Sequence, residues 1–251
     1  MTTMPKLIVF DLDNTLAESK APLSRSMAHL LERLLARTKV AVISGGALPQ
    51  FISQVVARLS PDAALAHLYL LPTSGASLYE WKHGAWQKVY EERISETDAA
   101  KIETAMKEGA KTSGVIDFDE PAWGPRVEYR GGQVSYSALG QEAPVAEKKA
   151  WDPDHRKRRA LRAAIAAGLP HGYVAAMGGS TTIDVTKRGV NKAYGIHQLS
   201  ERLRIPEREM LYVGDELIAG GNDEIVFTTE IETRSVASPT GAARFIGQLL
   251  A

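Results

Sequence analysis

Leu7-Ile8-Val9-Phe10, Val40-Ala41-Val42-Ile43, Leu68-Tyr69-Leu70-Leu71 and Met210-Leu211-Tyr212-Val213 are apolar runs with no polar residue between their members. A strand wetted on one face alternates apolar and polar positions, so unbroken runs of this length suit strands covered on both faces, as in a parallel sheet. Between the first two runs, Leu23, Met27, Leu30, Leu31, Leu34 and Leu35 recur at helical spacing and predict an amphipathic helix from near Pro22 or Ser24. A second helix is predicted from about Ala47 to Leu59. Strand–helix–strand–helix alternation implies an α/β class with a parallel, right-handed core.

From about Trp81 the texture changes. Ser77 to Trp81 and Ala85 to Tyr90 flank Lys82-His83-Gly84 as a predicted hairpin. A helix is predicted over about Glu96 to Gly109, then strands over Val115–Phe118, Arg126–Arg130 and Gln133–Leu139, with Gly131-Gly132 as a turn. Val134, Tyr136 and Ala138 alternate with Gln133, Ser135 and Ser137, the pattern of a sheet with one wet face. A helix over about Asp154 to Ala167 and strands near Tyr173–Met177 and Thr181–Val185 complete the block. The expected organisation is a core formed by residues 1–81 and 187–251, interrupted by an α+β cap over residues 82–186. The core resumes with a helix from Asn191, the strand at Leu211, a strand near Ser235 and a helix from Pro239.

The candidate chemistry lies at the ends of the buried strands, where open α/β sheets bind their ligands. The first run leads into Asp11-Leu12-Asp13-Asn14-Thr15. Two carboxylates one residue apart repel unless a cation lies between them, and Mg²⁺ takes such oxygen ligands together with substrate phosphate. An aspartate can also act as a nucleophile and carry a phosphoryl group. The second run ends in Ser44-Gly45-Gly46, a hydroxyl and exposed backbone N–H groups suited to an anion; the alternative for Ser44 is to cap the next helix. The fourth run ends in Gly214-Asp215, followed by Gly220-Gly221-Asn222-Asp223.

With a lysine between the second and third of these motifs, the chain resembles the haloacid dehalogenase (HAD) superfamily of phosphoryl-transfer enzymes. Within it, Val127-Glu128-Tyr129-Arg130, Gly178-Gly179-Ser180-Thr181-Thr182-Ile183-Asp184-Val185, Asn191-Lys192-Ala193-Tyr194 and Ala219-Gly220-Gly221-Asn222-Asp223-Glu224-Ile225-Val226-Phe227 are similar to the branch of type IIB caps that holds eukaryotic-type phosphomannomutases and sugar phosphatases. The resemblance implies a Rossmann-like core with an inserted cap. It makes Asp11 the nucleophile and Asp13 the general acid and then base. Mg²⁺ would be held by the Asp11 side chain, the Asp13 carbonyl and the Asp215 side chain, with Asn222 and Asp223 in support. Ser44, Gly45 and Gly46 would hold the transferring group. Lys192 would place positive charge beside it; Lys187 competes for that part, and the resemblance favours Lys192. In the cap, Arg130 matches one of several arginines that grip a distal phosphate, whereas Lys20, Gln141 and Lys148 stand where others would be. Thr182 and Asp184 match sugar-phosphate contacts. Lysine loses the bidentate fork and glutamine loses the charge as well, so these departures lean towards a phosphatase of sugar phosphates or similar metabolites. A phosphohexomutase is the enzymatic alternative, and a silent sugar-phosphate sensor the non-enzymatic one; intact Asp11, Asp13, Lys192 and Asp215 oppose the sensor.

Composition narrows this little further. The chain has 251 residues, 30 basic and 30 acidic, and no cysteine. Balanced charge offers no general attraction to nucleic acid or membrane. The basic stretch His155-Arg156-Lys157-Arg158-Arg159-Ala160-Leu161-Arg162 reads as a solvated cap helix rather than a nucleic-acid site. The six histidines lack metal-ligand spacing. No secretory apolar region precedes the first strand, and no run approaches the ~18 residues of a membrane span. The expectation is a cytoplasmic enzyme of a small phosphorylated metabolite. Related mutases pair through their caps, which admits a homodimer here.

Overall fold

In the computed structural model, residues 4–116 and 120–251 are described. In chain order the strands and helices are Leu7–Asp11 (β1), Arg25–Leu35 (α1), Lys39–Ile43 (β2), Leu48–Gln54 (α2), Leu68–Leu71 (β3), Ser77–Lys82 (β4), Ala85–Glu91 (β5), Glu96–Ser113 (α3), Val127–Tyr129 (β6), Val134–Ser137 (β7), Val145–Trp151 (α4) and Arg156–Gly168 (α5). They continue with Tyr173–Met177 (β8), Thr182–Lys187 (β9), Lys192–Leu203 (α6), Met210–Gly214 (β10), Glu232–Ser235 (β11) and Pro239–Leu250 (α7). The chain forms two compact units, one made by the segment up to Glu91 with Val190–Ala251, the other by Glu92–Gly189.

In the first unit the described strands form one sheet in the order β11-β10-β1-β2-β3-β4-β5. The strands from β11 to β3 run parallel. Alternate residues of β1 enter opposite cores: Ile8 and Phe10 pack with Met27, Leu31 and Ile246, whereas Leu7 and Val9 pack with Ile196 and Leu199. Helices cover both faces, which is why the central strands carry no polar alternation. From β1 the chain moves outward to β2 and β3 on one side and returns to β10 and β11 on the other. Ligands of open α/β sheets bind outside the carboxyl ends of the strands at such a reversal, here the end of β1. Register brings the motifs to this edge, with Asp11 beside Ile43 and Phe10 beside Val213.

Helix α6 starts at this edge because Asn191 caps it, its side chain accepting from the Tyr194 N–H at 3.1 Å. The loop after β3 abuts the same turn: a Cβ on Gly75 (φ +89°) would lie 3.0 Å from the Asn191 carbonyl oxygen and from the Gly195 Cα. Glycine at 75 and 195 permits this backbone approach.

The insertion begins later than its sequence pattern suggests. The sequence pattern places the hairpin of β4 and β5 partly in the cap from residue 82, yet β4 pairs antiparallel with β3 and the hairpin extends the central sheet. Its alternation fits a half-wetted strand on either sheet, so the pattern alone does not choose. The second unit has the antiparallel order β6-β7-β9-β8, with Val134, Tyr136, Ile183 and Val185 packed on Ile102, Met106, Leu161 and Ile165 of α3 and α5. The two helices approach closely at Gly109, where a Cβ would lie 2.6 Å from the Ile165 Cα. The strand expected over Val115–Phe118 is absent at Val115 and Ile116, and Asp117 and Phe118 lie outside the described residues. Helix α5 is not wholly solvated: Arg158 is 2% exposed and pairs with Asp152 at 2.9 Å. Among the described residues no helix is long and apolar enough to cross a membrane.

Candidate active site

Asp11 ends β1 with its side chain buried. The chain then turns sharply, with Asn14 in the left-handed region (φ 62°), a conformation asparagine tolerates better than most residues, and its N–H bonded to the Ala17 carbonyl at 2.6 Å. This turn presents Asp13 to three donors. Its Oδ1 accepts from the Lys20 backbone N–H at 2.7 Å, and its Oδ2 from Ser44 Oγ and Gln50 Nε2, each at 3.4 Å. Ser44 lies one residue beyond β2 and is also buried. Gln50 folds over Gly46, where a Cβ would meet its Oε1 at 2.3 Å. The Lys20 side chain is exposed.

Lys192, the first residue of α6, is 2% exposed. Its ammonium donates to Asp11 Oδ1 at 2.6 Å, to Asp223 Oδ1 at 2.6 Å and to Tyr212 Oη at 3.3 Å. Asp223 is buried beside the end of β10, accepting from Tyr212 Oη at 2.6 Å and from the Glu216 N–H at 3.3 Å. Its carboxylate occupies space that a side chain at 214 would take: a Cβ on Gly214 would lie 2.2 Å from Asp223 Oδ2. Asp215 accepts from Thr15 Oγ1 at 3.3 Å, and Glu216 Oε2 accepts from the Asn222 N–H at 2.9 Å.

Charge is unevenly matched here. Asp11, Asp215 and Asp223 gather around one ammonium. Burial pushes the Asp11 carboxyl well above the usual carboxylate range, with Lys192 opposing the rise and Asp223 and Asp215 adding to it. Burial, followed by Asp223 and Glu216, pushes Asp215 up to about 6. Burial also works against the Lys192 charge, but Asp11 and Asp223 outweigh it and hold the ammonium well above the lysine range. A divalent cation would relieve the remaining excess of negative charge. The described residues assemble no group of three or more ligating side chains, yet two carboxylates with a backbone carbonyl and water form a donor set that Mg²⁺ accepts. The residues fit the ion.

Of the two candidate lysines, Lys192 meets Asp11, while Lys187 pairs with Glu92 at 3.5 Å. Asp223, expected as support for metal and loop, holds the loop through the Glu216 N–H and also grips Lys192 directly. Tyr212, Glu216 and Gln50 escape a motif-based reading, and Thr15, although it closes the first motif, is given no role by it. Tyr212 hides among the apolar residues of its strand, and Gln50 lies in the first turn of α2, outside the motifs.

In the second unit, Arg130 donates from Nε and Nη2 to Glu128 Oε2 at 2.9 and 2.6 Å, and from Nη2 to Gln141 Oε1 at 3.1 Å. Lys148 Nζ donates to the Gln141 carbonyl at 3.2 Å, so Arg130, Gln141 and Lys148 form one cluster. Asp184 accepts from Ser135 Oγ at 2.6 Å, and Thr182 Oγ1 donates to the Gly179 carbonyl at 3.3 Å. Arg158 anchors the adjoining loop through the Gly178 and Gly179 carbonyls at 3.2 and 3.1 Å.

The family model of eukaryotic phosphomannomutase matches residues 27–251. A phosphomannomutase of Saccharomyces cerevisiae is 23% identical over 97% of this chain and 93% of its own. One of Encephalitozoon cuniculi is 26% identical, also over 97% of this chain and 93% of its own. Among solved structures, an N-terminally truncated Plasmodium falciparum IMP-nucleotidase superposes with a TM-score of 0.71 at 16% identity, over 98% of this chain and 70% of that one. An IMP-bound mutant of the same nucleotidase gives 0.70 at 16% identity, over 98% of this chain but only 66% of that one. A haloacid dehalogenase-like hydrolase from Bacteroides thetaiotaomicron gives 0.62 at 16% identity, over 98% and 99% of the two chains. At such identities the structures speak for the fold alone.

Proposed function

The chain belongs to the eukaryotic phosphomannomutase family and is a phosphoryl-transfer enzyme on a HAD fold; from that premise we propose that it transfers the phosphoryl group of a sugar phosphate through an aspartyl-phosphate on Asp11. The observation that carries this reading is the Lys192 ammonium 2.6 Å from Asp11 Oδ1 at the carboxyl end of β1. In the proposed first step the Asp11 carboxylate attacks phosphorus while the bond to the sugar oxygen breaks, and Asp13 gives that oxygen its proton. In the second, Asp13 takes the proton of an acceptor hydroxyl, which attacks the same phosphorus and frees Asp11. Ser44 Oγ and the N–H groups of Gly45 and Gly46 would hold the phosphoryl oxygens, and Lys192 would balance their charge. Mg²⁺ held by the Asp11 and Asp215 side chains and the Asp13 carbonyl would neutralise the meeting of carboxylate and phosphate.

The acceptor separates a mutase from a phosphatase. The leading reading is a phosphohexomutase, in which a second hydroxyl of the sugar accepts the group. Two observations support it: the likeness to phosphomannomutases over 97% of the chain, and the gathering of Arg130 and Lys148 at Gln141, which keeps two cations in one cluster. Hydrolysis, which the substitutions at Lys20, Gln141 and Lys148 favour by themselves, is kept as the second reading because Glu128 already occupies two donors of the Arg130 fork. Exposed Trp123, Tyr129 and Val145 would suit pairing of two copies through the second unit.

The test incubates mannose 1-phosphate or glucose 1-phosphate with enzyme and Mg²⁺, with and without the hexose 1,6-bisphosphate, and quantifies hexose 6-phosphate and free phosphate together. The leading reading expects bisphosphate-dependent 6-phosphate with little free phosphate. Free phosphate as the main product, indifferent to bisphosphate, would replace it with the second.

A further inference from the structure

We propose that Tyr212 is a positioning residue for phosphoryl transfer, its hydroxyl locking Asp223 and Lys192 into the arrangement that holds the ammonium on Asp11. The proposal rests on the reading of Asp11 as the phosphoryl acceptor.

Tyr212 sits in β10, fully buried, within a strand whose other residues Met210, Leu211 and Val213 are apolar. Packing alone would be served by phenylalanine. The hydroxyl does two further things at once. It donates to Asp223 Oδ1 at 2.6 Å and accepts from Lys192 Nζ at 3.3 Å, while Lys192 also donates to that same Asp223 oxygen at 2.6 Å. The three groups therefore form a closed ring of hydrogen bonds. A buried ammonium has three protons to place; with Asp223 and Tyr212 taking two of them, the third is aimed at Asp11 Oδ1 at 2.6 Å. The ring is itself braced, since the Glu216 N–H holds Asp223 Oδ2 and Gly214 leaves that carboxylate the space it fills.

Removing the hydroxyl takes one acceptor from the buried Lys192 ammonium and one donor from Asp223. Unsatisfied buried groups of this kind drive rearrangement. Lys192 can then relax towards Asp223 and away from the geometry that neutralises charge at Asp11. The loss falls on the transfer step rather than on substrate capture, because Tyr212 is fully buried and acts through Lys192 and Asp223.

The experiment is a double-mutant cycle of Tyr212→Phe and Asp223→Asn, followed by p-nitrophenyl phosphate turnover with Mg²⁺ and by urea denaturation. Tyr212→Phe is expected to lower kcat about 10- to 100-fold with KM within about twofold. In the Asp223→Asn background the same substitution should change kcat by less than about threefold, and the two stability losses should be less than additive. If Tyr212→Phe does not fold, Tyr212→Met keeps the bulk without the hydroxyl and enters the cycle in its place. Wild-type kcat in the folded variant, or equal losses in both Asp223 backgrounds, overturns the proposal. Asp11→Asn distinguishes the two levels of failure. Turnover that survives it contradicts the aspartyl-phosphate reading, whereas Asp11-dependent turnover indifferent to Tyr212 contradicts only the positioning role.

Discussion

At the scale of single residues, the site is an imbalance of charge held in place by burial. Asp215 shows its consequence most simply. Its carboxyl, pushed from the ordinary 3.8 to about 6, binds its proton more tightly in the folded protein than in the unfolded chain. Stability from this group is therefore fully present below about pH 4 and is lost as pH rises through about 6. Metal-free protein should show this part of its thermal midpoint fall between those limits. Asp215→Asn, which cannot ionise, should flatten the fall and leave the variant the more stable of the two at pH 7. A parallel pH profile for both proteins would contradict this origin of the shift. Much of this site is legible from residues alone, because Asp11, Asp13, Ser44 and Asp215 each lie at or just beyond the end of an apolar run. Tyr212 is not legible: its hydroxyl matters only through Lys192 and Asp223, which lie 20 residues before it and 11 after it in the chain.

At the scale of elements, the central strands could be read from sequence because helices on both faces leave no polar alternation. The hairpin of β4 and β5 could not be placed the same way, since one-sided alternation says that a strand is half covered but not by which sheet. Helix α5 shows the same limit. Its basic run looks uniformly solvated until Asp152 and the Gly178 and Gly179 carbonyls, all remote in pattern, enclose Arg158. Gly109 gives a test of the packing. An added methyl meets backbone of α5 at 2.6 Å rather than a movable side chain, so Gly109→Ala should destabilise by about 1 to 3 kcal/mol despite its better helix propensity. Urea denaturation checks this, and a variant as stable as the parent would show that α3 and α5 do not approach as closely as described.

At the scale of the whole molecule, the family and the phosphoryl-transfer class follow from a likeness that spans nearly all of this chain, whereas the acceptor does not. On the proposed reading that choice depends on a few side chains of the second unit, and Arg130 illustrates why: its sequence position suggests a phosphate ligand, but Glu128 and Gln141 share its donors. Strand order brings three distant segments to one edge of a sheet; on the proposed mechanism the acceptor is instead chosen by side-chain pairing that no local pattern encodes. Every proposed step nevertheless passes through one group, the Asp11 carboxylate. The most direct test is a crystal structure of the protein with Mg²⁺ and beryllofluoride, which mimics a phosphoryl group on a carboxylate. Beryllofluoride is expected bonded to an Asp11 oxygen, with its fluorines facing Ser44 Oγ and the Lys192 ammonium. Beryllofluoride on any other carboxylate would contradict the role given to Asp11.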